Sequence, residues 1–226
     1  MPANDAAPTR ARRPFWSRTL AALPDAVSAA FFLSLWIKPL YFDPRGVANG
    51  MLVMLVEFIL LHASVFLGMT AFAPDRSRAA KLKGIFGFGA FYLVFIIAWS
   101  VAFQAWWPFL AFGWLLMAKL AAAMQPGQAP QERLQRMQSG WALGGMAYLA
   151  GVFLTVFIPV PRLGITGSVV SQLDLPGSGL WISKPQTVIA FGVFYFSFLA
   201  LAKWRDWLLP ANNLPGSRPR PDRDRQ

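Results

Sequence analysis

Apolar residues come in blocks along this chain, and each block closes on a polar turn. The blocks approach the ~20 residues that a helix rising 1.5 Å per residue needs to cross a hydrocarbon layer about 30 Å thick. Six can be drawn, at about 26–42, 48–72, 85–104, 107–124, 141–160 and 187–204. The breaks have turn chemistry: Asp43-Pro44-Arg45-Gly46, Ala73-Pro74-Asp75-Arg76, Trp106-Trp107-Pro108, Gln125-Pro126-Gly127 and Pro159-Val160-Pro161. Backbone groups in lipid have no water to bond, so apolar spans of this length form helices. The expected fold is all-α: a polytopic integral membrane bundle of six transmembrane helices.

Composition sharpens that picture. Of 226 residues, 56% are hydrophobic and only 14% charged, against about 25% charged in soluble domains. There is no cysteine, which removes disulfides, thiolate metal sites, CxxCH haem attachment and cysteine nucleophiles.

The net charge of +11 acquires meaning from its placement. Seventeen of the 21 Lys and Arg fall in the N-terminal tail, in the loops after the second and fourth spans, and at or beyond the sixth span. The other four are Lys38, Arg45, Arg162 and Lys184. The positive-inside bias assigns the richer side to the cytoplasm. Both termini are therefore expected inside, in a bacterial cytoplasmic (inner) membrane. Trp16, Trp141, Trp204 and Trp207 fall near one boundary and Trp36, Trp99, Trp106 and Trp107 near the other, where amphipathic rings prefer the headgroup level. The basic segments suit anionic lipid. They form no basic face interleaved with aromatics, so nucleic acid is not an expected partner; a membrane protein or a second copy of the chain is.

The apolar stretch after the N-terminal arginines is interrupted at Pro24-Asp25, which argues for an uncleaved first span rather than a signal peptide. The expected division is a basic N-terminal tail over 1–24, interfacial around Thr9–Leu23, a six-span domain over 25–204, and a basic tail over 205–226 whose Pro, Arg and Asp content predicts disorder. Residues 161–186 form the one long connection on the outer side, expected to pack over the bundle mouth.

Phe88-Gly89-Ala90-Phe91-Tyr92 in the third span matches Phe191-Gly192-Val193-Phe194-Tyr195 in the sixth. One reading is a weak inverted repeat of three plus three spans, as in many secondary transporters. The other is coincidence in a chain holding 20 Phe and 18 Gly. Gly140, Gly144, Ala147 and Gly151 give the fifth span small-xxx-small spacing, a close-packing signal.

The second span, MLVMLVEFILLHASVFLGM, carries Glu57 and the only histidine, His62. A charged side chain at the centre of a span costs on the order of 2.5–3.5 kcal/mol on insertion scales, and such residues usually face a bundle interior. Five residues at 100° put the two about 140° apart around a helix and about 7.5 Å apart along it. The helix thus offers a Glu57/Ser64 face and a His62/Met69 face, both usable only if it lies centrally. Tyr195 matches Glu57 in depth, and Lys38 on the neighbouring helix is the other candidate partner.

No catalytic motif is present: no Gly-x-Ser-x-Gly, no His-Glu-x-x-His, no phosphate loop and no carboxylate pair within the spans. Ser64 and His62, at i and i+2, point about 160° apart. One histidine is an incomplete metal set, so no metal or other cofactor is expected, and an enzyme is disfavoured. Two functions remain. The first is a small ion- or proton-coupled transporter with Glu57 titrating and His62, Ser64, Tyr92, Tyr195 and Lys38 as relay or transport candidates. The second is a membrane scaffold or accessory subunit in which Glu57 and His62 are structural glue between helices.

Overall fold

A computed structural model describes residues 14–41, 43–73, 76–124 and 131–207, without the side chains of 131–136. The tail beyond Trp207 and the arginines before Pro14 lie outside the described residues. The described chain is all-helical. Its helices are α1 (Phe15–Ile37), α2 (Gly46–Phe72), α3 (Arg78–Ala102), α4 (Trp107–Met124), α5 (Gln131–Phe157), the short α6 (Gly167–Gln172) and α7 (Leu180–Ser183), and α8 (Pro185–Trp204). Six of them are long and apolar enough to cross a membrane, as in a multi-pass integral membrane protein.

Helix starts follow local chemistry. Ser77 caps α3, its side chain accepting from the Ala80 N–H, and Thr166 caps α6 through Val169. Pro185 takes the first position of α8, where a missing N–H costs nothing. The main departure from expectation is α1. It begins at Phe15, inside the stretch assigned to the tail, and runs through Pro24 without ending. Proline removes one backbone hydrogen bond there, and the Ser28 hydroxyl donates to the Pro24 carbonyl at 3.0 Å.

Packing divides the bundle into two cores that share α2. Along α2, Val47, Met51 and Met54 face one core, while Leu52, Val56, Ile59, Ala63 and Leu67 face the other. The first core joins α2 to α1, α5 and α8; the second joins it to α3 and α4. α2 consequently touches all five other long helices. The most extensive pairing is between α1 and α8, whereas the consecutive α1 and α2 barely meet. The buried stripe of α1, Ala22, Asp25, Ala29, Phe32 and Leu35, has the helical spacing that a single packed face requires.

Glycines set the closest approaches. Gly192 of α8 lies directly beneath the Phe32 ring, and Gly50 of α2 faces Ile189 and Leu35. In the small-residue stripe of α5, Gly144 abuts Leu61 and Gly151 abuts Phe191, while Gly140 faces open space. Three of the four positions thus serve helix packing, since Ala147 is buried too.

The 161–186 connection folds over the first core, at the end opposite the termini. Ile165 is fully buried, and Val170, Leu173 and Trp181 pack on the cluster beneath. Trp36 anchors it, its indole N–H donating to the Pro161 carbonyl at 2.9 Å while its own carbonyl accepts from the Gly164 N–H.

Candidate functional site

Glu57 projects from α2 toward α8. Its Oε1 accepts a hydrogen bond from the Tyr195 hydroxyl at 2.8 Å. Tyr195 is fully buried, its ring edge-on to Tyr148 at 5.5 Å and tilted against Phe191 at 6.1 Å. Tyr148 of α5 donates its hydroxyl to the Met54 carbonyl at 2.9 Å, one turn of α2 from Glu57. That carbonyl has a second lone pair beyond its helical bond, so the extra donor costs the helix nothing. Gly144 of α5 borders the cluster, its position 3.0 Å from Leu61 and 3.9 Å from the Tyr195 hydroxyl at the Cβ it lacks.

A second polar pair stands nearer the terminal end. Lys203, in the last turn of α8, places Nζ 2.6 Å from Asp25 Oδ2 on α1. Asp25 is 8% exposed, and both partners interact electrostatically with Glu57. Beside them the Arg18 guanidinium donates to the Trp204 carbonyl at 3.4 Å, one of the carbonyls a helix end leaves free. A string of polar groups, Lys203–Asp25, then Glu57–Tyr195, then Tyr148, therefore runs from the terminal end toward the middle of the first core.

The sequence candidates divide accordingly. Glu57 and Tyr195 meet. His62 does not join them: its Nδ1–H donates to the Phe58 carbonyl at 2.8 Å, and its ring lies 4.2 Å from Phe58 and 6.4 Å, edge-on, from Trp141 of α5. The Glu57 face is covered by protein at Tyr195, while the His62 face is half-buried against Trp141 and leaves Met69 exposed. Lys38 ends α1 with its ammonium over the Tyr41 ring at 5.3 Å, away from Glu57. Tyr92 belongs to the second core. Ser64 is half-buried on α2 and shares no hydrogen bond with Glu57.

Three residues went unread in the sequence. Asp25 looked like a break before the first span, yet it lies within α1 and supplies the second carboxylate that the spans were expected to lack. Lys203 was counted only among the basic residues at or beyond the sixth span. Tyr148 carried one signal, being among only four tyrosines and inside a span.

Chemically, the arrangement offers a carboxylate with a phenol donor, near a carboxylate–ammonium pair, in a water-poor setting. Among the described residues no group of three or more His, Asp or Glu is placed to hold a metal ion. Comparison with protein families, with curated proteins and with solved structures gives no match to the chain.

Proposed function

We propose that this protein is a small ion- or proton-coupled transporter of a cytoplasmic membrane, with both termini inside and Glu57 as its titrating group. The observation that carries this reading is Glu57 itself: a mid-span carboxylate held by Tyr195, on the helix that every other span touches. An ionised Glu57 accepts from Tyr195. A protonated Glu57 keeps a carbonyl oxygen that accepts the Tyr195 hydroxyl and gains an O–H donor that needs an acceptor of its own. Loading a proton thus adds a donor beside the bond that ties α2 to α8 and replaces a charge-assisted hydrogen bond with a weaker neutral one. The Asp25–Lys203 pair lies between this bond and the cytoplasmic end, where a proton or cation would enter or leave.

The helix arrangement also supports the three-plus-three inverted repeat. α3 packs between α2 and α4 as α8 packs between α5 and α1. The two matching glycines occupy corresponding places, Gly89 against Leu116 of α4 and Gly192 against Phe32 of α1. The two tyrosines that follow are both buried. The correspondence is incomplete, because α2 packs on α4 and α8 while α5 forms no comparable contact with α1 or α3.

The test uses proteoliposomes with a pH-sensitive dye trapped inside and an imposed ion or solute gradient. Glu57→Gln keeps an acceptor for the Tyr195 hydroxyl while removing the titrating proton. The expected result is flux in the wild type and its loss in Glu57→Gln at equal folded yield. Absence of any proton or solute flux that this substitution alters defeats the reading.

One observation favours the scaffold alternative: Tyr195 and Tyr148 are tightly packed and both hydroxyls are used in bonds between helices. In that case Glu57→Gln and His62→Ala lower folded yield rather than flux, and the protein isolates with a partner in mild detergent.

A further inference from the structure

A proton on Glu57 creates an O–H that needs an acceptor, and two tyrosines converge on the turn of α2 where it would stand. Tyr195 already gives its hydroxyl to Oε1 at 2.8 Å. Tyr148 gives its own to the Met54 carbonyl at 2.9 Å. Met54 and Glu57 are three residues apart and therefore neighbours on the helix surface. A helical carbonyl points toward the C-terminus and a Cβ leans toward the N-terminus, so this carbonyl oxygen and the Glu57 side chain share one turn. The two tyrosine rings stand edge-on at 5.5 Å, and Tyr148 interacts electrostatically with Glu57. A phenol that donates still has a lone pair with which to accept.

We infer that the ion loaded at Glu57 is a proton rather than a metal cation, and that protonated Glu57 donates its O–H to the Tyr148 hydroxyl oxygen. This rests on the reading of Glu57 as the titrating group and names what it carries. The proton passes from hydronium to the carboxylate oxygen that Tyr195 does not hold, leaving water; no other covalent bond changes, and release reverses the step. The donor set selects the proton. Hard cations gather about six oxygens, and transporters commonly free such oxygens by unwinding a helix. Here α2 runs unbroken from Gly46 to Phe72, and the Met54 carbonyl is taken up by its helix and by Tyr148. Tyr195 aims a hydrogen rather than a lone pair at the carboxylate, and Asp25 is held by Lys203. A cation would find one carboxylate, whereas a proton needs only that carboxylate and one acceptor. Among the described residues, the titratable groups around Glu57 are Asp25 of α1, Tyr148 of α5, and Tyr195 and Lys203 of α8. His62 on α2 itself turns to Phe58 and Trp141, Lys119 of α4 lies over Gly68, and Tyr92 of α3 belongs to the other core. Loading therefore joins α8, α2 and α5 in one chain of hydrogen bonds, from Tyr195 through Glu57 and Tyr148 to the Met54 carbonyl.

The test is infrared difference spectroscopy of the full chain in phosphatidylcholine vesicles, stepping the pH with no gradient imposed. The acid C=O band of Glu57 is the one that Glu57→Gln removes. It is expected to grow on acidification equally in sodium and in choline buffer. Tyr148→Phe should keep the band but raise its frequency, because the acid O–H loses its acceptor. It should also weaken proton binding roughly two- to tenfold, the range that one uncharged hydrogen bond supplies. Monodisperse elution verifies folding. Should Tyr148→Phe not fold, 3-fluorotyrosine in place of Tyr148 keeps the shape with a poorer acceptor oxygen and should move the band the same way by less. No Glu57 band at any pH where the protein stays folded, a band that sodium suppresses, or a band that neither change at Tyr148 moves overturns the inference. Flux that Glu57→Gln abolishes can persist in each of those cases and keeps the transport reading; a band that shifts as expected without any flux defeats that reading alone.

Discussion

On the α8 side of α2, buried hydroxyls bond between helices; on the α3–α4 side the buried polar groups Thr70, Tyr92 and Ser100 make no interhelical hydrogen bond among the described residues. The first core has two tyrosine hydroxyls in interhelical bonds, an ion pair at its edge and glycines that let rings sit directly on backbone. The second relies on apolar packing between fewer helices. Its outer helix, α4, presents Leu110, Trp114 and Met117 to the surroundings, with Trp114 81% exposed. In lipid the tails are as apolar as the side chains, so helices associate through close packing and hydrogen bonds rather than through a hydrophobic force. The first core is therefore specified geometrically at many points, and the second is held more loosely.

Substitution can break that contrast, beginning where the effect is largest. Gly192→Val forces a branched side chain into the Phe32 ring, and overpacking of this kind costs about 3 kcal/mol. The matching change on the other side, Gly89→Val on α3, meets only the flexible end of Leu116 at 3.1 Å and should cost less, about 1 kcal/mol. Thermal unfolding in detergent, read by loss of the monodisperse peak, measures both; equal tolerance would erase the distinction between the cores.

Asp25→Ala comes next. It leaves Lys203 without its counter-ion, for a loss of about 2 kcal/mol. This falls below the ~3–5 kcal/mol of a fully buried pair because Lys203 keeps about a third of its exposure. Combining Asp25→Asn with Lys203→Gln should recover most of the loss in the same assay. Failure to recover would mean that the pair is not what joins α1 to α8 at this level.

The smallest effect sharpens the comparison. Tyr195→Phe removes the bond to Glu57 and should cost about 1 kcal/mol. Tyr92→Phe, at the matching motif position, has no hydroxyl bond to lose among the described residues and should be nearly silent. A Tyr92→Phe cost equal to that of Tyr195→Phe would show that the two tyrosines do equivalent work.

How much of this was legible in the chain depended on how local each cause was. Five of the six spans lie within several residues of their predicted places, because apolar run length is a local property with a direct physical meaning. The first was misplaced because Pro24-Asp25 looks like a terminator. The helix instead continues through Pro24, with Asp25 paired to Lys203, 178 residues further along, and one sequence does not reveal that pairing. Tyr195 was found as a partner for Glu57 because depth can be counted from span ends. Lys38 satisfied the same counting but ends its helix over Tyr41, and Tyr92 lies on a helix that packs on the other side of α2. Which neighbour a helix turns toward was the missing information, and with it went Tyr148.

The pairing of α1 with α8 also gives the molecule a history during synthesis. At about 5–20 residues per second, the ribosome needs roughly 10–35 seconds after making Asp25 before Lys203 exists. Throughout that interval α1 holds an aspartate with no counter-ion, and it has little grip on α2, its immediate successor. The α2–α3–α4 unit is built from neighbours in sequence and can assemble in the meantime. The bundle is thus closed late, when α8 arrives and recruits a helix made long before it.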